Sequence, residues 1–207
     1  HDKVEVVGCF LLRAYFDAVT KNEEDRKINS RKKVLICDNS FSNAIHFSED
    51  FYLDFLDLTI ALHAELPETN FIFKSKNTRD WIVNGFTDEK RRRQYLEKIS
   101  FLLKSDRFIY FDNTNQLESF IATADLVVNM GMSSPATIAL ILGKEGVYFD
   151  TTGNTMHPFT RYKNQIVFDN KGTLINHVKD VLNKRKSAFN YIDPELLNQY
   201  KPYKDEK

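Results

Sequence analysis

Two adjacent serines, Ser133 and Ser134, lie at the predicted start of a helix that directly follows a buried strand. Gly131 permits the tight turn before them, because glycine adopts positive φ without a Cβ penalty, and Pro135 suits the first turn of the helix. Hydroxyls at a helix N-terminus, together with its unpaired backbone N–H groups, can bind phosphate. The alternative is that the two serines only cap the helix.

Two lysines, Lys74 and Lys76, follow another predicted strand and could neutralise a diphosphate held opposite the serines. Lysines at the end of a strand are also common on protein surfaces, so both interpretations stay open. The four side chains together form the candidate phosphate site.

Six further polar residues follow predicted strands and could hydrogen-bond a ribose, a base or a sugar. They are Ser40, Asn43, Asp112, Asn113, Thr151 and Thr152. The backbone at Gly131 is a candidate contact of the same kind. Most of these residue types also favour turns, and turn formation explains their positions almost as well.

Short apolar runs alternate with helical patterns and predict the elements that position these loops. The expected strands are 34–37, 71–73, 108–111, 126–129 and 147–150, with a last one at 165–168. This alternation predicts an α/β fold, a Rossmann-like parallel sheet flanked by helices with right-handed crossovers. Such sheets bind ligands outside the carboxyl ends of their strands, which is where the polar loops fall.

Charge and composition divide the chain into three predicted parts. Residues 21–33 are polar throughout and predict a linker, so 1–30 is expected to end a preceding domain. Residues 31–187 are expected to form the Rossmann-like domain, and 188–207 a C-terminal helical tail.

Overall charge and cysteine content narrow the functional classes. The 207 residues contain 29 basic and 29 acidic side chains, so the zero net charge argues against a general nucleic-acid binder. No apolar run is long enough to span a bilayer, and no secretory leader is visible. Cys9 and Cys37 are predicted to be reduced core thiols, which is typical of a cytoplasmic protein.

Histidines and arginines offer no metal or catalytic pattern. His46, His63 and His177 lack ligand spacing, and His157 is more often structural than catalytic in such a position. The arginine run at 91–93 lies on a predicted helix with acidic residues, which indicates a solvated face, with a membrane-surface contact as the alternative. No glycine-rich dinucleotide motif, P-loop or nucleophile elbow is present.

Residues 33–182 resemble the C-terminal, nucleotide-sugar-binding half of GT-B glycosyltransferases. The pattern is similar to bacterial capsule and surface-polysaccharide enzymes, including relatives of Kdo and sialic-acid transferases and polymer-forming glycerophosphotransferases. The stretch 4–9 resembles the last strand of the preceding half. The resemblance places the donor phosphate on Ser133 and Ser134 and the base-binding loop at 111–113. A Lys-Pro-His-Pro segment of these relatives falls on Lys74-Ser75-Lys76-Asn77, where Lys76 could replace the missing histidine.

The resemblance implies that the chain is half of a glycosyltransferase. Its substrate would be a nucleotide-activated sugar bound without a metal or other cofactor, and its partners would be an N-terminal GT-B domain and a glycan or lipid-linked acceptor. The catalytic base is expected to lie outside the chain, and the location to be cytoplasmic, with possible peripheral contact at the inner face of the plasma membrane. The alternatives are a sugar-nucleotide epimerase-like domain and a non-catalytic nucleotide- or protein-binding module.

Overall fold

The structure is a computed structural model that describes residues 13–22, 31–41, 47–112, 117–153 and 157–198. The predicted strand at 4–9 and the candidates Asn43 and Asn113 lie outside these ranges, as do Cys9 and His46.

Six strands within these ranges form one sheet in which every neighbouring pair is parallel. The spatial order is β3-β2-β1-β4-β5-β6, so the chain first builds one half of the sheet and then crosses to the other side of β1. This confirms the predicted fold class. The strands are β1 Lys32–Cys37, β2 Thr69–Lys74, β3 Phe108–Phe111, β4 Leu126–Met130, β5 Glu145–Phe149 and β6 Val167–Phe168.

Helices connect these strands, and several of them begin at a polar residue whose side chain caps the helix. Ser48 accepts a hydrogen bond from the backbone N–H of Phe51 at 3.1 Å, and Asp88 accepts one from that of Arg91 at 2.8 Å. Such caps satisfy N–H groups that have no intrahelical carbonyl. The helices are α1 Arg13–Asn22, α2 Glu49–Glu65, α3 Arg79–Gly85, α4 Glu89–Leu103, α5 Leu117–Thr123, α6 Ser134–Ile141, α7 Lys171–Leu182 and α8 Pro194–Asn198.

The core lies on both faces of the sheet. In β1, Val34 and Ile36 pack into one apolar cluster, whereas Leu35 and Cys37 pack into the other, and all four are at most 2% exposed. The second cluster also contains residues of the C-terminal segment, namely Ala188, Ile192, Leu196 and Leu197. Because both faces are covered, the ends of the strands are where polar groups of the sheet can meet a ligand.

Close packing of α6 on β5 fixes the position of the loop between β4 and α6, which carries Gly131 and Ser133. Gly146 lies inside β5, and a Cβ atom there would stand 2.6 Å from the carbonyl oxygen of Ala136. Only glycine therefore allows the helix to approach the sheet this closely. No helix among the described residues combines the length and the apolar character needed to cross a bilayer.

Candidate functional site

A cleft of about 160 Å³ lies at the carboxyl ends of β1, β2 and β4. It forms there because Cys37 at the end of β1 is paired with Lys74 on one side and Asn129 on the other. We call it the central cleft. Its lining residues are Cys37, Asp38, Asn39, Lys74, Lys76, Leu117, Ser133, Ser134 and Pro135. The structure thus brings together all four candidates for phosphate binding, although their role stays a prediction.

The two lysines give the central cleft its positive charge. Lys76 donates from Nζ to Oδ1 of Asn39 at 2.8 Å, and its backbone N–H donates to Oδ1 of Asp38 at 2.5 Å. In the described part of the chain, no carboxylate forms an ion pair with Lys74 or Lys76. Both charges therefore remain available to an anion.

Ser133 occupies the N-cap position of α6, but its side chain makes no capping hydrogen bond. Its Oγ instead accepts a hydrogen bond from Nδ2 of Asn129 at 2.6 Å. Ser134 begins the helix and is exposed. Pro135 has no N–H, so the first turn offers the backbone donors of Ser134 and Ala136 to a ligand. The geometry favours a ligand-facing Ser133 over a capping one.

Asp38 is a buried carboxylate in the wall of the cleft, and sequence reasoning did not identify it as a site residue. It accepts hydrogen bonds from the Tyr52 hydroxyl at 2.7 Å, from the Ser75 hydroxyl at 2.8 Å and from the backbone of Lys76. Burial raises the pKa of Asp38 to about 6, although these hydrogen bonds and the nearby Lys74 act in the opposite direction. Asp38 therefore fixes the loops after β1 and β2 to each other.

Asn129 is fully buried in β4 and controls the turn that presents the serines. Besides Ser133, its Nδ2 donates to the carbonyl oxygens of Met130 at 3.1 Å and Gly131 at 2.9 Å. Gly131 has φ of +63°, and a Cβ atom at this position would lie 2.3 Å from the ring of Phe47. The predicted turn at Gly131 is confirmed, and the steric reason is the aromatic ring packed against it.

The other predicted contacts surround the central cleft without lining it. The Ser40 hydroxyl accepts a hydrogen bond from Nδ2 of Asn77 at 2.9 Å, which joins the same two loops as Asp38 does. Asp112 follows β3, and its Oδ1 is buried without a hydrogen-bond partner among the described residues. Thr152 donates from both its backbone N–H and its hydroxyl to Oδ1 of Asp150, at 2.8 and 2.6 Å.

A second cavity, of about 300 Å³, lies at the carboxyl ends of β5 and β6. We call it the lateral pocket. It is lined by Asp150, Thr151, Gly153, Thr160, Lys163, Val167 and Asp169. Thr151 is the only predicted site residue in this lining, since Thr152 turns towards Asp150. One wall comes from the 3₁₀ helix Pro158–Tyr162, which the sequence did not predict.

A third cavity, of about 430 Å³, opens at the opposite edge of the sheet, beside Lys32 and Glu145 at the amino ends of β1 and β5. Its charges are partly paired, as in Lys32 with Asp125 at 3.7 Å. Parallel sheets bind their ligands at the carboxyl ends of the strands. The third cavity is therefore not a candidate, and the central cleft is the candidate site despite its smaller volume.

Three of the histidines and arginines considered in the sequence, His157, Arg91 and Arg92, have structural partners. Nδ1 of His157 accepts the backbone N–H of Phe159 at 3.2 Å at the start of the 3₁₀ helix, and burial lowers the pKa of His157. Arg91 pairs with Asp50 at 2.6 Å, and Arg92 with Glu89 at 2.9 Å. Among the described residues, no three His, Cys, Asp or Glu side chains are grouped as metal ligands would be.

Several solved structures have the same fold. UDP-GlcNAc 2-epimerase from Methanocaldococcus jannaschii, in complex with UDP-GlcNAc and UDP, has a TM-score of 0.52 and 17% identity, covering 90% of this chain and 49% of its own. The wall teichoic acid polymerase TagF has a TM-score of 0.52 and 13% identity, and the match covers 92% of this chain and 44% of TagF. WaaG, a glycosyltransferase involved in lipopolysaccharide biosynthesis, has a TM-score of 0.50 and 13% identity, and the match covers 87% of this chain and 47% of WaaG.

This chain therefore spans less than half the length of each of these three proteins. Its fold is that of one half of a GT-B enzyme. Among curated proteins, none matches the sequence. Residues 1–178 match the family described as "Polysaccharide biosynthesis PFTS motif protein", and the chain belongs to that family.

Proposed function

We propose that this chain is the nucleotide-sugar-binding half of a glycosyltransferase that builds a bacterial surface polysaccharide. The observation that carries the proposal is the central cleft, where two lysines that form no ion pair with any described carboxylate face two serines at the start of α6. The TagF and WaaG folds and the family description support the same activity.

The cleft suits the phosphates of an activated sugar. Two ammonium groups outweigh the single carboxylate of Asp38, so the lining favours an anion even when Asp38 is ionised. Hydroxyls and the backbone donors of the first turn of α6 add hydrogen bonds to phosphate oxygens. In this proposal the protein's own cations neutralise the phosphates, and no metal or other cofactor takes part.

The neighbouring strand ends would hold the rest of the donor. The nucleoside would extend past Ser40 towards β3. There Oδ1 of Asp112, which has no hydrogen-bond partner among the described residues, can accept a hydrogen bond from a ribose hydroxyl or a base. The sugar would extend in the other direction, past Gly131 towards Thr151 and Thr152 after β5. Asn43 and Asn113 belong to the same loops and stay predicted contacts.

The proposal assigns the remaining functions to the part of the enzyme outside this chain. A second GT-B domain would close over the carboxyl edge of the sheet and supply the catalytic base and the site for a glycan or lipid-linked acceptor. The enzyme would work in the cytoplasm, with a peripheral contact at the inner face of the plasma membrane.

A sugar-nucleotide epimerase is the second candidate, because the Methanocaldococcus jannaschii epimerase has the same fold with a TM-score of 0.52. Epimerisation at a sugar carbon requires a base and an acid beside the ring. The described lining of the central cleft contains one carboxylate, Asp38, and no histidine. Transfer of a sugar to an acceptor therefore fits the described residues better.

Calorimetry with UDP, CMP, CDP and GDP tests the proposal directly. We expect at least one of these nucleotides to bind the chain, and Lys74→Ala or Lys76→Ala to weaken that binding roughly tenfold or more, since each removes a hydrogen bond to a charged group. The loss should shrink at high salt. Lys104→Ala, an exposed lysine at the end of α4, is the matched control. The proposal fails if none of the four binds, or if the three variants behave alike.

A further inference from the structure

The 3₁₀ helix Pro158–Tyr162 forms one wall of the lateral pocket. Phe159 is 1% exposed and packs between the rings of Tyr148 and Tyr162, with centroids 6.0 and 6.3 Å away. This aromatic anchor fixes the 3₁₀ helix against β5.

Thr160 is the residue of this helix that lines the lateral pocket. Its hydroxyl donates to the carbonyl oxygen of His157 at 2.7 Å, and a hydroxyl oxygen carries two acceptor lone pairs. Arg161 points elsewhere, because its guanidinium donates to the Tyr162 hydroxyl at 2.9 Å and lies 3.9 Å from Asp193. The 3₁₀ helix therefore contributes the hydroxyl of Thr160 to the lining of the pocket.

The charges of the lateral pocket differ in sign from those of the central cleft. Two carboxylates, Asp150 and Asp169, and one ammonium, Lys163, line it, which leaves one net negative charge. Lys163 is already paired with Asp169 at 2.6 Å. Asp150 is 8% exposed, and its Oδ2 has no hydrogen-bond partner in the described ranges. Such a lining repels an anion and offers acceptors to hydroxyl groups.

The size and position of the pocket complete the argument. A volume of about 300 Å³ is at the lower end of the range for small-molecule sites, which suits one small unit. β5 neighbours β4, the strand that leads to Ser133, so the two sites are separated by roughly 5–10 Å, one or two strand spacings. We propose that the lateral pocket binds one uncharged sugar unit through Asp150, Thr160 and Lys163.

This inference rests on the proposed function, and it narrows the class of sugar on which the enzyme would act. A negatively charged lining disfavours acidic sugars, and so it argues against Kdo and sialic acid as the unit held here. The uncharged unit is either the sugar of the bound donor or a residue of the acceptor glycan. Both sources share the same hydroxyl chemistry.

Saturation-transfer NMR on the whole chain tests the inference with a matched pair of probes. We expect glucose or N-acetylglucosamine to give signals at millimolar concentration, and glucuronate, which differs from glucose by a carboxylate, to give far weaker ones. Thr160→Val should weaken binding of the uncharged sugar about fivefold, which corresponds to the loss of one neutral hydrogen bond. Thr173→Val is the control, because its hydroxyl makes the same kind of bond to the carbonyl of Asn170, outside the pocket.

A second variant tests the charge argument without disturbing the core. Asp169 is exposed, so Asp169→Asn should leave folding intact while it removes the net negative charge, and glucuronate should then bind more strongly than to the unchanged protein. The inference is wrong if no uncharged sugar gives a signal, if glucuronate binds as well as glucose, or if Thr160→Val has no effect. Nucleotide binding that persists in those cases would leave the proposed function standing.

Competition separates the two sources of the sugar. Displacement of glucose by UDP-N-acetylglucosamine but not by UDP would assign the pocket to the donor sugar. Glucose that neither ligand displaces would assign it to the acceptor glycan. If UDP itself displaced glucose, the lateral pocket would not be separate from the nucleotide site, since UDP carries no sugar unit beyond its ribose.

Discussion

The central cleft and the lateral pocket lie at the same edge of one sheet but have opposite electrostatic character. Lys74 and Lys76 outnumber the single carboxylate in the first, whereas two carboxylates outnumber Lys163 in the second. A parallel sheet brings all its carboxyl strand ends to one edge, and the residue after each strand then sets the local charge. In our proposals, two strand spacings separate a site for phosphate from a site for hydroxyl groups.

The two regions also differ in how they are held. Asp38, Asn39 and Ser40 join the loops of the central cleft through hydrogen bonds to Lys76, Ser75 and Asn77. The lateral pocket depends instead on the aromatic anchor Phe159 and on the turn of Thr152 around Asp150. Polar contacts thus hold the loops that line the central cleft, and apolar packing holds the 3₁₀ helix that lines the lateral pocket.

Replacing the serine pair is expected to have the largest effect, and it tests whether the central cleft, unlike the lateral pocket, binds phosphate. Replacing both Ser133 and Ser134 with alanine removes two hydroxyl donors to phosphate, each worth roughly 1.5–3 kcal/mol of binding free energy. Ser133 makes no capping hydrogen bond, and Nδ2 of Asn129, which loses its bond to the Ser133 hydroxyl, keeps its bonds to the carbonyl oxygens of Met130 and Gly131. The free energy of unfolding should therefore change by less than the ~1 kcal/mol that a lost cap costs. Calorimetry gives the first quantity and urea denaturation the second.

An opposite pattern in the serine variant would overturn the assignment. If stability falls by about 1 kcal/mol and nucleotide affinity is unchanged, the serines are helix caps and the central cleft is not a phosphate site. Sugar signals from the lateral pocket serve as the internal control, since neither serine lines it.

Asp38 provides a pH-dependent test of the charge difference. Its pKa is about 6 in the folded protein against an ordinary value of 3.8, so the folded state binds this proton more tightly than the unfolded chain does. The resulting stabilisation, about 3 kcal/mol for a shift of about two pKa units, is complete below pH 3.8 and is lost as pH rises through about 6. Denaturation of Asp38→Asn and the unchanged protein across this range measures it, and the variant should lack this component.

Protonation of Asp38 should also change ligand binding. Below about pH 6 the central cleft loses its carboxylate charge, so a nucleotide sugar, whose phosphates do not titrate there, should bind more tightly at pH 5 than at pH 7. Uncharged sugar in the lateral pocket should show no such dependence on Asp38. Equal pH profiles for Asp38→Asn and the unchanged protein would show that this carboxylate does not control the cleft.

The sequence predicts the sheet and the meeting of Lys74 with Ser133 because both follow from local patterns. Buried strands are continuous apolar runs, and polar residues directly after them must share one edge. The same rule places Asp38 at this edge, but its burial could not be predicted, since that burial depends on Tyr52 and Ser75, which come from other parts of the chain. Asn129 was the better signal, because a polar residue inside an apolar strand requires a partner.

The lateral pocket was beyond prediction for a different reason. Its wall is a 3₁₀ helix of five residues, too short to show a hydrophobic period. Thr151 was a candidate because it follows a strand, but Thr160 and Lys163 come from a connection without a recognisable pattern. The boundaries predicted at 30 and 187 stay predictions, and Ala188 and Ile192 pack into the same apolar cluster as the sheet.

The smallest expected effect comes from Arg161, the neighbour of Thr160 in the 3₁₀ helix. Arg161→Ser removes a side chain that contacts Tyr162 and Asp193 outside the pocket. An exposed ion pair at 3.9 Å and a cation–π contact at 4.9 Å together contribute about 1 kcal/mol or less of stability. We therefore expect a slightly lower free energy of unfolding and an unchanged sugar affinity, measured by denaturation and by NMR. If Arg161→Ser altered sugar affinity as much as Thr160→Val, residue 161 would also reach the lateral pocket, and the hydroxyl contacts of the pocket would need to be reassigned.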